Sequence, residues 1–258
     1  MITFNGTITF NGNIEFGNLY IPSAVQIPQS GSLLAYYDFN QTGTTATDLH
    51  STFDGTVNNG TIGTIDGILN KGYNLTETTG NGMAIGQVLN PDYNSVWSVN
   101  GWFKPSQIAT SMHLWDKSNP ELFGRTLNLQ VDTNNKLVCQ LANNTLSYAI
   151  TVRETTGTFT TADAWYMVTV TNSGNGLASG IKIYVNSAAS SLDTIADTLG
   201  TNSTITSGSI PFTIGGISNT ATADPFLGTI DEFGVWNAEL TQTSINTLYN
   251  SGNGIIYK

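Results

Sequence analysis

From Ser32 onward, apolar residues recur in short runs separated by Gly, Asn and Ser. Leu33 to Phe39 is one run, and Val96 to Phe103, which holds Trp97 and Trp102, is another. Thr126 to Asp132 and Lys136 to Ala142 flank Thr133-Asn134-Asn135, which predicts a hairpin. Tyr148 to Arg153, Trp165 to Thr171, Ile181 to Asn186, Ile210 to Gly215 and Phe226 to Trp236 continue the series. Successive strand side chains point to opposite faces, so alternating runs build sheets with one buried side. Many short strands with regular turns predict an all-β fold, a two-sheet antiparallel jelly-roll sandwich. One short C-terminal helix is predicted: Thr241 caps it, Ile245, Leu248 and Tyr249 share a face, and Gly252 stops it. Its expected place is one end of the sandwich.

Residues 1–31 follow another pattern. Ile2-Thr3-Phe4-Asn5-Gly6-Thr7 recurs as Ile8-Thr9-Phe10-Asn11-Gly12-Asn13 and again as Ile14-Glu15-Phe16. The repeat length is even, so strand alternation is preserved. Ile2, Phe4, Ile8, Phe10, Ile14 and Phe16 all fall on one side, and Thr, Asn and Glu on the other. A strip with one oily side cannot bury itself alone. It predicts an assembly arm that pairs with copies of itself or with a neighbouring protein; an edge strand folded back onto the main domain is the alternative. Tyr20 to Gly31, with Pro22 and Pro28, reads as an extended linker. The expected organisation is a β arm and linker over 1–31 and a sandwich over 32–258.

Composition narrows the function. Only 10% of the 258 residues are charged, against roughly 25% in an ordinary domain. Eighteen acids and eight basic residues give −10, which leaves no basic footprint for nucleic acid and no polybasic patch for a membrane surface. No apolar run approaches the roughly 18 residues of a membrane span. A chain poor in Lys and Glu does not read as a helical bundle. The single Cys139 excludes an internal disulfide, and in Lys136-Leu137-Val138-Cys139 it reads as a small buried hydrophobe. His50 and His113 lack paired spacing, so no histidine metal site or triad is expected. Met1 to Gly6 shows neither a basic nor an apolar signal region. With Thr, Asn and Ser carrying the polarity, this points to a virion protein released by lysis; a secreted or cell-surface module is the alternative.

Several blocks together resemble a known family. Leu34 to Phe39 followed by Asp48 to Thr56, then Val99 to Pro105, Trp165 to Thr171, Ile183 to Asn186 and Phe226 to Trp236 with the capped helix, resemble laminin-G-like, concanavalin A-like jelly rolls over about residues 32–254. The resemblance implies two packed sheets with the first and last strands adjacent. It also implies glycan binding, adhesion, calcium-dependent recognition or glycosidase chemistry, since function on a shared fold lives in its sites.

Each implied chemistry meets particular residues. The glucanases of this class resemble one another in carrying Glu-x-Asp-x-x-Glu on one strand, but here Thr229 and Gly234 stand where the flanking acids would be. Asp231 and Glu232 are adjacent and are expected on opposite faces of a strand, whereas retaining hydrolysis needs two carboxylates about 5–5.5 Å apart. A non-enzymatic protein is therefore expected. Calcium takes six to eight oxygens, and Asp38, Asp48, Asp54 and Asp231 are its candidate ligands through the resemblance; ordinary turn capping is the other role open to Asp48 and Asp54. Tyr93 and Trp115 sit in polar, loop-like contexts and are the candidate glycan-stacking aromatics, while Trp97, Trp102, Trp165 and Trp236 read as core. The expected role is a virion decoration or fibre protein whose arm anchors it and whose jelly roll is displayed, adhering to surface carbohydrate.

Overall fold

The structure, a computed structural model, describes residues 26–76, 80, 82–119, 124–142, 150–199, 210–217 and 224–257. The hexad arm lies outside them. In chain order the strands are β1 (Leu33–Tyr37), β2 (Thr45–Ala46), β3 (Gly55–Val57), β4 (Thr61–Asp66), β5 (Lys71–Leu75), β6 (Met83–Ala84), β7 (Trp97–Pro105) and β8 (Met112–Asn119). They continue with β9 (Gly124–Val131), β10 (Lys136–Ala142), β11 (Ile150–Thr158), β12 (Tyr166–Asn172), β13 (Ile181–Val185), β14 (Ala188–Ala189), β15 (Leu192–Asp197), β16 (Thr213–Ile214) and β17 (Gly228–Trp236). One helix, α1 (Gln242–Tyr249), follows.

The strands form two antiparallel sheets. The first runs β14-β13-β12-β7-β17-β5-β4, with β1 also on β17; the second runs β15-β11-β10-β9-β8-β16-β6-β3-β2. Between them lies one core built from inward positions such as Tyr37, Tyr73, Trp97, Phe103, Leu129 and Phe233. The β9–β10 hairpin arises as the sequence predicts, with Asn135 in the left-handed region (φ 63) and Asp132 Oδ1 accepting from the Asn134 and Lys136 amides.

β17 is the pivot of the first sheet. One edge pairs with β7. The other pairs with β5 through Gly228 to Ile230, then with β1 through Phe233 to Trp236. The first and last strands are thus adjacent, with Leu33 opposite Trp236 and Tyr37 opposite Phe233.

A second apolar cluster covers the outer side of this sheet. Tyr36, Trp102, Met167, Tyr184 and Trp236 point away from the main core and are sealed by Ile245 and Leu248 of α1 and by Ile255. Trp102 stacks on Tyr249 with ring centroids 5.6 Å apart. Here the structure departs from expectation: α1 lies against a sheet face because that face is apolar and needs a cover. Thr241 Oγ1 caps it by accepting from the Ser244 amide at 3.1 Å. It ends at Asn250 (φ 45), two residues before the glycine expected to stop it.

The end of the expected linker is docked as well. Ile27 is buried in the second cluster. Trp236 Nε1 donates to the Pro28 carbonyl at 3.1 Å. Gln29 Oε1 accepts from the Thr241 amide (3.1 Å) and Ser244 Oγ (2.9 Å), so it binds donors at the start of α1. Residues 26–31 therefore belong to the packed body, because an apolar side chain and a helix terminus claim them.

Candidate functional site

The polar residues of interest fall into three places. The first is a bulge in β17. The pairing register slips between Asp231 and Gly234, and Glu232 takes φ 46. Ile230, Phe233 and Val235 face the core, so the extra residue leaves both Asp231 and Glu232 on the helix-covered side. This corrects the expectation that the two adjacent acids point to opposite faces: a bulge suspends alternation.

Both acids are buried there. Glu232 Oε2 accepts from the Tyr36 phenol at 2.6 Å, and Asp231 Oδ2 accepts from the Leu69 amide at 3.0 Å. The β4–β5 turn sits so tightly over Asp231 that a Cβ at Gly67 would meet Oδ2 at 2.2 Å. Burial pushes the Asp231 carboxyl well above its ordinary range, and the charge of Glu232 adds to this. Burial raises Glu232 to about 8, although the Tyr36 hydrogen bond pulls the other way and Asp38 adds to the rise. Asp38 is half-buried and accepts from Asn40 Nδ2 (2.7 Å) and Gln41 Nε2 (2.9 Å). A closed, proton-holding cluster of this kind gives a sugar no access to its carboxylates.

The second place is the turn between β2 and β3. Asp48 Oδ1 accepts from the Tyr36 and His50 amides, each at 3.0 Å; Oδ2 accepts from Ser51 Oγ (2.7 Å) and the Phe53 amide (3.1 Å). Burial alone would raise this carboxyl, but four donors together hold it below its usual value. Asp54 Oδ1 in turn accepts from the Asp48 amide at 2.9 Å. The four carboxylates proposed as calcium ligands are therefore divided. Asp48 and Asp54 hold a turn at the backbone of Tyr36, while Asp38 and Asp231 belong to the cluster around its phenol. Among the described residues, no group of three or more His, Cys, Asp or Glu side chains is placed to hold a metal ion.

The third place is the outer face of the second sheet. Trp115, expected in a loop, lies in β8 at 1% exposure, packed edge-on to Trp97 and stacked on Phe212. It is core and offers no surface to a glycan. The cause is another bulge: between His113 and Trp115 the register to β9 slips, so Leu114 and Trp115 both turn inward while His113 and Asp116 turn outward. Tyr93 is half-buried and packs against the core. No register brings Tyr93 and Trp115 together on one surface.

What the outer face carries is a polar row. Thr213, Asp116, Asn128 and Gln140 stand opposite one another across β16, β8, β9 and β10. His113 and Gln130 form a second row beside it. Gln130 and Gln140 are half-buried; Thr213, His113, Asp116 and Asn128 are buried. The Asn128 and Gln130 positions are legible from the alternation with Leu127, Leu129 and Val131. The bulged partners on β8 are not.

This architecture defines a jelly-roll sandwich with one sheet face sealed by a helix and the other lined by polar side chains. The chain belongs to the concanavalin A-like lectin/glucanases superfamily, whose sequence profile matches residues 77–246. No curated protein sequence matches it. Among solved structures, Trypanosoma rangeli sialidase in complex with sialic acid is similar at 15% identity and TM-score 0.63, over 92% of this chain and 36% of that one. The binding domain of Paraclostridial Mosquitocidal Protein 1 is similar at 15% identity and TM-score 0.62, over 86% and 52%. The receptor binding domain of botulinum neurotoxin mosaic serotype C/D is similar at 16% identity and TM-score 0.59, over 86% and 51%. This chain thus spans about a third of the sialidase and half of the toxin domains.

Proposed function

We propose that this chain is a non-catalytic carbohydrate-binding module displayed on a virion, where residues 1–25 attach it to other virion proteins or to copies of itself. The observation that carries the binding role is the contrast between its two sheets. The acid pair nearest to a glucanase motif, Asp231 and Glu232, is buried under the helix-covered face. The outer face of the other sheet carries two amide side chains that are partly open to solvent, Gln130 and Gln140, and amides hydrogen-bond to sugar hydroxyls. The attachment role rests on the six-residue repeat with Ile2, Phe4, Ile8, Phe10, Ile14 and Phe16 on one side. Two structural neighbours, both toxin binding domains, fit a binding role on this fold.

Two measurements test the reading. A glycan array probed with the full chain, once with calcium and once with chelator, is expected to give sugar hits; an array empty in both conditions overturns the binding role. Light scattering is expected to show a larger particle for the full chain than for residues 26–258, and equal masses with normal incorporation into particles overturn the attachment role.

A further inference from the structure

The chain contains one Asp-Pro pair, Asp224-Pro225, just before β17. Asp224 is exposed and takes φ 38, in the left-handed region. Few residues other than glycine enter that region, and a following proline pushes its predecessor towards extended backbone. Pro225 is buried, and Phe226 behind it is locked in the core, with its amide donating to the Gly215 carbonyl at 3.1 Å and its ring edge-on to Phe103. The bond between Asp224 and Pro225 is therefore fixed on one side and open to water on the other. Its carbonyl oxygen is held by His113. The His113 amide donates to it at 2.9 Å, and the ring Nδ1 lies 3.4 Å from it. A carbonyl oxygen only accepts, so Nδ1 carries a proton in this contact. His113 and Pro225 also form a parallel bridge, which fixes β8 beside the bond.

We propose that this chain cuts itself between Asp224 and Pro225, with the Asp224 carboxylate as nucleophile and His113 as the donor to the developing oxyanion. A carboxylate oxygen of Asp224 attacks the backbone carbonyl carbon of the same residue and closes a cyclic anhydride. Nucleophile and target share one residue, so no encounter is needed. Negative charge builds on the carbonyl oxygen, where the two His113 donors are already placed. The C–N bond then breaks, and its electron pair stays on the Pro225 nitrogen, which takes a proton from solvent and leaves as a secondary amine. Water opens the anhydride and gives Asp224 a free C-terminal carboxyl. The balance is peptide plus water to acid plus amine, with no other reactant. Cleavage also releases Asp224 from its strained backbone. Residues 225–258 carry β17 and α1, and β17 pairs with β7, β5 and β1, so the cut protein stays assembled.

The test is intact-mass spectrometry of the full chain over time at pH 5 and 37 °C, beside a sample unfolded in guanidinium chloride at the same pH. Two products are expected, residues 1–224 and 225–258, whose masses sum to that of the whole chain plus one water. They are expected to form at least about tenfold faster in the folded protein, since an unfolded Asp-Pro bond has no oxyanion donors. A chain that stays whole, or equal rates in the two samples, overturns the proposal. Asp224→Ala removes the nucleophile at an exposed position and is expected to stay whole; cleavage at the wild-type rate overturns the proposal. His113→Leu is expected to slow cleavage at least about tenfold, and an unchanged rate in the folded variant overturns the role of His113. If His113→Leu loses its fold, Asp224→Ala and the comparison with the unfolded chain decide.

Discussion

The phenol of Tyr36 donates to Glu232 Oε2 at 2.6 Å and so ties the first strand of the sandwich to the last. The bond lies where β17 exchanges one partner for the other, beside the second carboxylate, Asp231. Removing the phenol strands a buried acceptor. Tyr36→Phe is expected to cost about 1–3 kcal/mol in urea unfolding with an unchanged denaturant slope.

The same pair makes stability depend on pH in an unusual direction. Burial raises Glu232 to about 8, above the unfolded value near 4.3. The folded state therefore holds the proton more tightly than the unfolded chain. This contribution is full below about pH 4 and is lost as pH rises towards 8, at up to about 1.4 kcal/mol per unit. Urea midpoints at pH 5, 6.5 and 8 are expected to fall with rising pH, and more steeply than in Glu232→Gln. Parallel curves for the two proteins would refute it.

Asp48 titrates the other way. Its carboxyl is held low by four donors, so its contribution is full above about pH 4 and is lost as pH falls through the lowered value. Asp48→Ala is expected to cost at least about 1.5–3 kcal/mol, the worth of one charge-assisted bond. Because its oxygens already serve backbone and Ser51 donors, EDTA is expected to leave the melting temperature of the wild type unchanged. A drop on chelation would show that calcium holds this turn.

The packed body begins before Leu33. Deleting residues 1–25 is expected to leave the melting temperature unchanged. Deleting 1–31 removes Ile27 from its cluster and Gln29 from the start of α1, with an expected fall of about 4–10 °C by calorimetry. Equal melting temperatures would place the boundary after Gly31.

Cys139 is fully buried in β10, and burial pushes its thiol up to about 12. Ellman's reagent at pH 8 is expected to react with it only on unfolding, at a rate that tracks the unfolding equilibrium. Fast labelling of the native protein would contradict this packing.

Much of the sandwich was legible because inward and outward positions alternate, as in Leu127, Leu129 and Val131 against Asn128 and Gln130. The adjacency of the first and last strands followed from the family resemblance and is borne out by Leu33 opposite Trp236. What stayed hidden on β8 and β17 shares one cause. The two bulges break the period of two, at Glu232 and at Leu114, and each puts a chemically important side chain on the side that counting residues would not give it. The bulges are why Trp115, read as a loop residue from its polar flank, is turned into the core, and why Asp231 and Glu232 looked divided and are together. The docking of α1 on a sheet face was also invisible, since helix periodicity tells which side is oily but not what it meets.

The place of β17 has a consequence for how the chain is made. Among the described residues it alone links β7, β5 and β1, so without it the first sheet falls into three unconnected pieces. On a ribosome, β1 emerges early and then waits for almost the whole chain before its partner is synthesised. Until then its edge has no strand to pair with, and the sheet closes late, through contacts distant in sequence that form slowly. Birth of this protein is therefore a race between the arrival of its last strand and the stickiness of its first.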